Sequence, residues 1–325
     1  MRALRFEHIS SPLNASFAIS RGSRMSAESV RVWLSEDGAT GRGECLPYSR
    51  YGETIESVGT QLEAVRGALE EGITREDLQT AMPAGAARCA VDGALWDLEA
   101  KQTGVPVWKR ARLPDPKPLA TTMTLSIAEA EIMAEAAKTT PATILKLKLG
   151  GPEDLDRVAA VRAVRPDAKL IVDGNEAIAP EGFERLMDQM AELGVSLIEQ
   201  PFPVGQDERL RKRSSAVPVC ADESVHTASD LEALAEKYDF INIKLEKAGG
   251  LTEALSMLNE CRRLGLGVMV GCMVVGSLSM APAMLLGQAA DLVDLDGPLW
   301  LKQDIEHGLV YRGGTVLPPR PELWG

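Results

Sequence analysis

The sequence predicts an α/β protein: a parallel barrel of eight strands with their helices, preceded by a smaller α+β domain. Three observations carry this. Short apolar runs recur in the second half of the chain, and successive runs close on Lys148, Asp173, Glu199, Asp222 and Lys244. The intervals run from 22 to 26 residues, about what one strand, one helix and two loops need. Before residue 112 the pattern is different, with period-two alternation followed by helical stripes. Finally, 325 residues suffice for a full barrel and a second domain.

Taken in order, residues 1–46 read as antiparallel β. Val30, Val32 and Leu34 share one face of a strand, Ser35-Glu36-Asp37-Gly38 is a turn, and Gly41–Cys45 returns. Ile55, Val58, Leu62, Val65 and Leu69 make one helical stripe. Thr74–Asp77 has the form of a capping box. Pro83 opens a helix on which Ala87, Val91, Leu95 and Leu98 share a face, and Gly104 and Pro106 end it. From residue 113 strands and helices alternate. Strands are expected at 118–124, 144–148, 169–173, 196–199, 217–222, 240–244, 267–271 and 292–294. Their apolar character on both faces suits a barrel wall. The fold is thus a (β/α)7β TIM-like barrel. We divide the chain into residues 1–112, 113–300, and a segment 301–325 that returns to the first domain.

Composition narrows the function. The chain is 45% hydrophobic and 25% charged, with net charge −12. That balance argues against a nucleic-acid surface, which needs clustered Lys and Arg. The acids on helices read as solvated faces. No apolar run is long enough for a membrane span, and the opening residues lack the apolar stretch of a signal peptide. Five irregularly spaced cysteines without a C-x-x-C pair fit reduced thiols in a cytoplasm.

The strand ends carry the chemistry. Asp173, Glu199 and Asp222 close three adjacent strands, the third to the fifth. Three converging oxygen anions without His or Cys call for a hard divalent cation, Mg²⁺ before Zn²⁺. Each acid alone could instead cap a helix. Lys146 and Lys148, two apart, face the same way on the second strand. Lys244 closes the sixth strand, opposite the second on the ring. A buried lysine beside other cations is expected to have a lowered pKa and to act as a base. Opposed lysines beside a cation suit proton removal from one face of a carbon acid and return to the other. The bland alternative is that they only pair with the acids. Lys247 is expected in the following loop. Asp294 and Asp296 end the eighth strand and suggest an ammonium pocket. Cys272 and Met273, after the seventh strand, read as a wall of the site, since no His is placed to activate the thiol.

These residues resemble the enolase superfamily. The resemblance rests on Lys146-x-Lys148, Asp173-x-Asn175, Glu199-Gln200-Pro201, Ala221-Asp222-Glu223-Ser224 and Asn242-Ile243-Lys244, and it spans nearly the whole chain. It is nearest to the muconate-lactonizing subgroup and, through Asp294-x-Asp296, to the dipeptide epimerases of L-Ala-D/L-Glu type. The resemblance implies one Mg²⁺ per subunit on Asp173, Glu199 and Asp222. It implies Lys148 and Lys244 as acid/base catalysts, with Lys146 orienting the substrate carboxylate. It makes residues 1–112 a capping domain that sets specificity through loops at 20–24 and 48–53. Arg21 and Arg24 would meet the substrate's glutamate carboxylate, Thr124 would touch substrate, and Asp294 and Asp296 would hold the α-ammonium. The partner is a small dipeptide, in murein peptide metabolism. No nucleic acid or membrane is expected, and a homo-oligomer is left open. Gly174 inside D-x-N, the residues after Asn175 and the stretch Val274–Ser277 depart from the pattern, which bears on substrate shape. The alternatives are an o-succinylbenzoate synthase-like lyase, an N-acylamino acid racemase, or an inactive metal-binding scaffold. An o-succinylbenzoate synthase would have no use for Asp294 and Asp296, and an inactive scaffold would not need the full set of catalytic residue types that the chain retains.

Overall fold

The computed structural model describes residues 2–212 and 217–325. The first domain is built on an antiparallel sheet of β1 (Ala3–Ile19), β2 (Gly22–Glu36) and β3 (Ala39–Cys45), in that order. Val30, Val32 and Leu34 alternate on β2 and all three are buried, as period-two patterning requires. They face α3 (Ala86–Thr103), which lies after α1 (Ile55–Glu70) and α2 (Arg75–Ala81). Two glycines on β3 allow that packing. A Cβ at Gly43 would stand 2.0 Å from the Ala90 carbonyl oxygen, and one at Gly41 would stand 2.1 Å from that of Ala94. The Thr54 hydroxyl caps α1 by accepting the Ser57 N–H, and Thr74 caps α2 by accepting the Asp77 N–H. α3 starts later than Pro83 suggests. Gly85 turns the chain at φ 137°, and the Glu53 carboxylate then accepts the Ala86 N–H at 2.7 Å. A short α4 (Val107–Arg110) ends this region.

The barrel strands follow in sequence order. They are β5 (Met123–Leu125), β6 (Ile144–Lys148), β7 (Lys169–Asp173), β8 (Val195–Glu199), β9 (Val219–Ala221), β10 (Phe240–Ile243), β11 (Gly267–Val270) and β12 (Leu292–Val293), preceded by β4 (Leu119–Ala120). All pairings within this sheet are parallel. Helices α5 (Ala130–Thr139), α6 (Asp154–Val164), α7 (Phe183–Glu192), α8 (Leu231–Leu234), α9 (Leu245–Ala248), α10 (Leu251–Leu264) and α11 (Ser277–Gly287) lie between them. The expected first strand, 118–124, is split. Leu119–Ala120 pairs antiparallel with a late hairpin, β13 (Tyr311–Arg312) and β14 (Thr315–Val316), and only Met123–Leu125 joins the barrel. Thr121 and Thr122, between the two pieces, stitch the first strand to the eighth. Thr122 N–H donates to Val293 O at 3.0 Å, and Leu295 N–H donates to Thr121 Oγ1 at 2.8 Å. No ladder joins β5 and β12, so one backbone bond and several side-chain bonds close this seam.

Register sets the site. Lys148 is level with Asp173, Asp173 with Glu199, and Glu199 with Cys220. Ile171, Leu197, Cys220 and Leu292 lie two residues before Asp173, Glu199, Asp222 and Asp294, and pack together with Met269 as a small buried cluster. Successive side chains on a strand alternate faces. The acids therefore share the face of that cluster and form the layer above it. The end of the chain reaches the first domain. Trp324 Nε1 donates to Gly93 O at 3.0 Å, and Val107 N–H donates to Gly325 O at 3.2 Å.

Candidate active site

The C-terminal ends of the barrel strands open into a cavity of about 700 Å³ beneath the first domain. Its floor includes Lys146, Lys148, Asp222, Glu223, Lys244, Asp294 and Asp296, and its roof comes from residues 17–28 and 46–55. The three acids are fully or nearly fully buried, Glu199 and Asp173 at 0% and Asp222 at 2% exposure. Lys146 Nζ lies 3.1 Å from Asp173, 2.7 Å from Glu199 and 2.8 Å from Asp294. Lys148 Nζ lies 2.6 Å from Asp173, and Lys244 Nζ 2.6 Å from Asp222. Lys247, expected in the following loop, lies within the short α9 and is buried. Its ammonium donates to the Asp222 carboxylate at 2.6 Å and also to the Asp222 carbonyl.

This density of charge perturbs the carboxylates at the strand ends. Burial pushes the carboxyls up. For Asp173 that is outweighed by Lys148 and Lys146, and for Asp222 by Lys244 and Lys247, so both are held below the usual carboxylate range. Glu199, fully buried and crowded by Asp173, is pushed up to about 8. The expectation of lowered lysine pKa values is corrected for Lys146 and Lys244. Burial does lower them, but carboxylates rather than cations face them, and both are held well above the normal lysine value. Asp294 is held down, against burial, by Lys146. Asp296 is raised to about 6 by burial and by Asp294.

The acids fit a hard cation. Among the described residues no three His, Cys, Asp or Glu side chains are already grouped so as to hold a metal ion; the lysine ammonium groups pair with the three carboxylates instead. The donors are all oxygens, they end three adjacent strands, and one is left over. Glu199 Oε2 has no hydrogen bond, although Lys146 Nζ is 2.7 Å away, close but poorly directed. Glu199 Oε1 accepts from Asn242 Nδ2 at 2.8 Å, which fixes the carboxylate plane.

The other expected residues are distributed unevenly. Asp296 accepts the Thr124 N–H at 2.7 Å, and Asp294 accepts the Thr122 hydroxyl as well as Lys146. Cys272 and Met273 line the cavity wall, and burial followed by Asp294 raises the Cys272 thiol, in keeping with a packing role. His226, just after the fifth strand, is edge-on to Tyr51 at 4.7 Å and off the cavity wall. Arg21 and Arg24 have different surroundings. Arg21 is taken up by protein groups: Asn175 O at 2.9 Å, Glu176 at 3.1 Å and Glu223 at 2.8 Å. Arg24 lies on β2, not in a loop, and lines the cavity without a carboxylate partner among the described residues. Its guanidinium is 5.6 Å from the Phe17 ring. Burial lowers its pKa, yet an arginine keeps its charge. Asn175 and Glu223 stand in the sequence only as motif residues and Glu176 carries no expected role there, although each directly follows or nearly follows a strand-end acid. Gly174 proves tightly placed, since a Cβ there would lie 2.9 Å from Ile178 and 3.1 Å from Gln200 O.

Two family models match, "Mandelate racemase / muconate lactonizing enzyme, N-terminal domain" over residues 4–110 and "Enolase C-terminal domain-like" over residues 128–322. The L-Ala-D/L-Glu epimerase of Escherichia coli K12 is 43% identical over 319 residues, 97% of this chain and 99% of that protein. A crystal structure of an enolase family member from Agrobacterium tumefaciens, with homology to dipeptide epimerases and holding sodium and L-Ala-L-Glu, is 47% identical with TM-score 0.98 and 100% of both chains covered. A dipeptide epimerase from Enterococcus faecalis, complexed with Mg and L-Leu-L-Tyr, is 27% identical with TM-score 0.91, covering 97% of this chain and 96% of that one.

Proposed function

The chain belongs to the mandelate racemase/muconate lactonizing enzyme family of the enolase superfamily, and on that footing we propose that it is a Mg²⁺-dependent dipeptide epimerase. It inverts the α-carbon of an acidic C-terminal residue, as in L-Ala-D/L-Glu. One observation carries the reading. Lys148 and Lys244 close the second and sixth strands of an eight-strand ring, flanking the acid triad, in a cavity where Arg24 lacks a carboxylate partner.

The residues divide the work as follows. Asp173, Glu199 and Asp222 would hold one Mg²⁺ per subunit. When bound, it supplies positive charge that offsets the charge building on the substrate carboxylate as the α-proton leaves. Lys146 orients the substrate's C-terminal carboxylate. Lys148 takes or gives the proton on one face of the α-carbon, and Lys244 does so on the other. Asp296, with Asp294 behind it, receives the α-ammonium near Thr124. Arg24 pairs with the side-chain carboxylate. Residues 1–112 thus select the substrate, residues 113–300 carry the chemistry, and residues 301–325 tie the two together. The same reading puts the protein in the cytoplasm, acting on peptides from cell-wall turnover. All five cysteines are free thiols, which suits a reducing compartment, and no helix among the described residues is long and apolar enough to cross a membrane.

Turnover in D₂O tests this. L-Ala-L-Glu and L-Ala-D-Glu should interconvert with deuterium at the α-carbon, and activity should stop in EDTA and return with Mg²⁺. A protein that leaves both dipeptides unexchanged, or works fully in EDTA, is not this enzyme.

A further inference from the structure

The β1–β2 hairpin lies across the barrel mouth. Its flank is held on the side of the first and eighth strands. Ala18 N–H donates to Ser126 Oγ at 3.3 Å, Ile127 N–H donates to Ala18 O at 3.3 Å, and Phe17 stands edge-on to Trp300 at 4.9 Å. Its tip, Ser20–Arg21, reaches the loops after the third and fifth strands. There Arg21 Nη1 donates to Asn175 O at 2.9 Å and Glu176 at 3.1 Å. Its Nη2 donates to Glu223 at 2.8 Å and Tyr48 Oη at 3.3 Å. Arg50, from the second roof loop, grips the same Glu176 with two bonds, of 2.9 and 2.7 Å, and Val204 N–H donates to it at 3.0 Å. Glu176 and Asn175 both hold left-handed backbone, at φ 69° and 41°, which a residue with a side chain keeps only where its surroundings insist. The fork of Arg21 is filled by four protein acceptors, so little of it is left for a ligand.

We propose that Arg21 is a positioning residue, which pins the hairpin as a strap across the cavity through Glu176 and Glu223, while Arg24 alone meets the substrate's side chain. The strap closes over any dipeptide, whatever that side chain is. Glu176 is the keystone, because it receives cations from both roof loops and sits three residues beyond Asp173.

The kinetic consequence rests on the dipeptide reading, and the exchange consequence does not. In the substrate-free protein, Arg21→Met and Glu176→Gln should each speed amide hydrogen exchange over residues 17–24 by at least about tenfold. Unchanged exchange in both variants overturns the strap. With substrate, Arg21→Met should raise KM for L-Ala-L-Glu and its neutral isostere L-Ala-L-Gln alike, by roughly tenfold, with kcat within about threefold. The preference of kcat/KM for Glu over Gln should stay within about twofold. Arg24→Met should instead collapse that preference. If Arg21→Met loses the preference as Arg24→Met does, Arg21 is a substrate contact and the proposal fails. If the wild type turns over no dipeptide, the functional reading fails, and the exchange result still decides the strap.

Discussion

At the scale of single residues, the site is a balance of ammonium groups and carboxylates. Lys148→Ala should lower turnover by about 10²- to 10⁴-fold and abolish α-proton exchange from one enantiomer only, with Lys244→Ala doing so for the other. Loss of both from either variant contradicts the two-face assignment. Asp296 makes a second, pH-dependent prediction. Its carboxyl is raised to about 6, so it is charged above that pH and loses charge as the pH falls through it. KM for dipeptides should therefore rise below pH 6, and N-succinyl amino acids, which lack the ammonium, should not show this rise. Equal pH profiles for the two substrate classes would remove Asp296 from the ammonium pocket. The strand-end groups were legible in the sequence because i, i+2 spacing and an even interval are local signals. The partners of Arg21 were not, since Glu176 and Glu223 lie 155 and 202 residues away and nothing local marks them.

At the scale of elements, the first domain depends on how closely α3 lies on β3. The glycines at 41 and 43 present no side chain, and the helix backbone fills that space. Gly43→Ala forces strand and helix apart and should cost about 3 kcal/mol, read as a lower midpoint in urea unfolding. A midpoint within about 0.5 kcal/mol of wild type would mean that the backbones yield without strain. The sequence showed the helix stripes and the alternating strand. It misplaced the first barrel strand because the apolar run 118–124 contains two pieces serving different sheets, and apolar character does not record which partner a strand takes.

At the scale of the molecule, the two domains share one buried guanidinium. Arg88, on α3, donates to Ala248 O at 2.7 Å and Gly249 O at 3.2 Å, in the turn after Lys244, and to Gln79 O and Met82 O in its own domain. Arg88→Met leaves several carbonyls without donors. It should cost at least about 2 kcal/mol and lower turnover as well, because the carbonyls it holds lie within five residues of Lys244. A fall in Tm with turnover unchanged would show that the barrel fixes Lys244 unaided. Nothing local announces this tie, since a helical arginine reads as a solvated residue until its environment is known.

The seam between the first and eighth strands has one more consequence. Its closure relies on Thr122 bonding to Asp294 and on the Thr124 N–H bonding to Asp296, and these are the two acids assigned to the ammonium. Recognition of the peptide's amino end and integrity of the ring are therefore inherited together. A descendant that drifts toward substrates without an amino group must replace a stitch whenever it discards an acid. The side-chain end, overhung by a hairpin that carries no such duty, is free to vary.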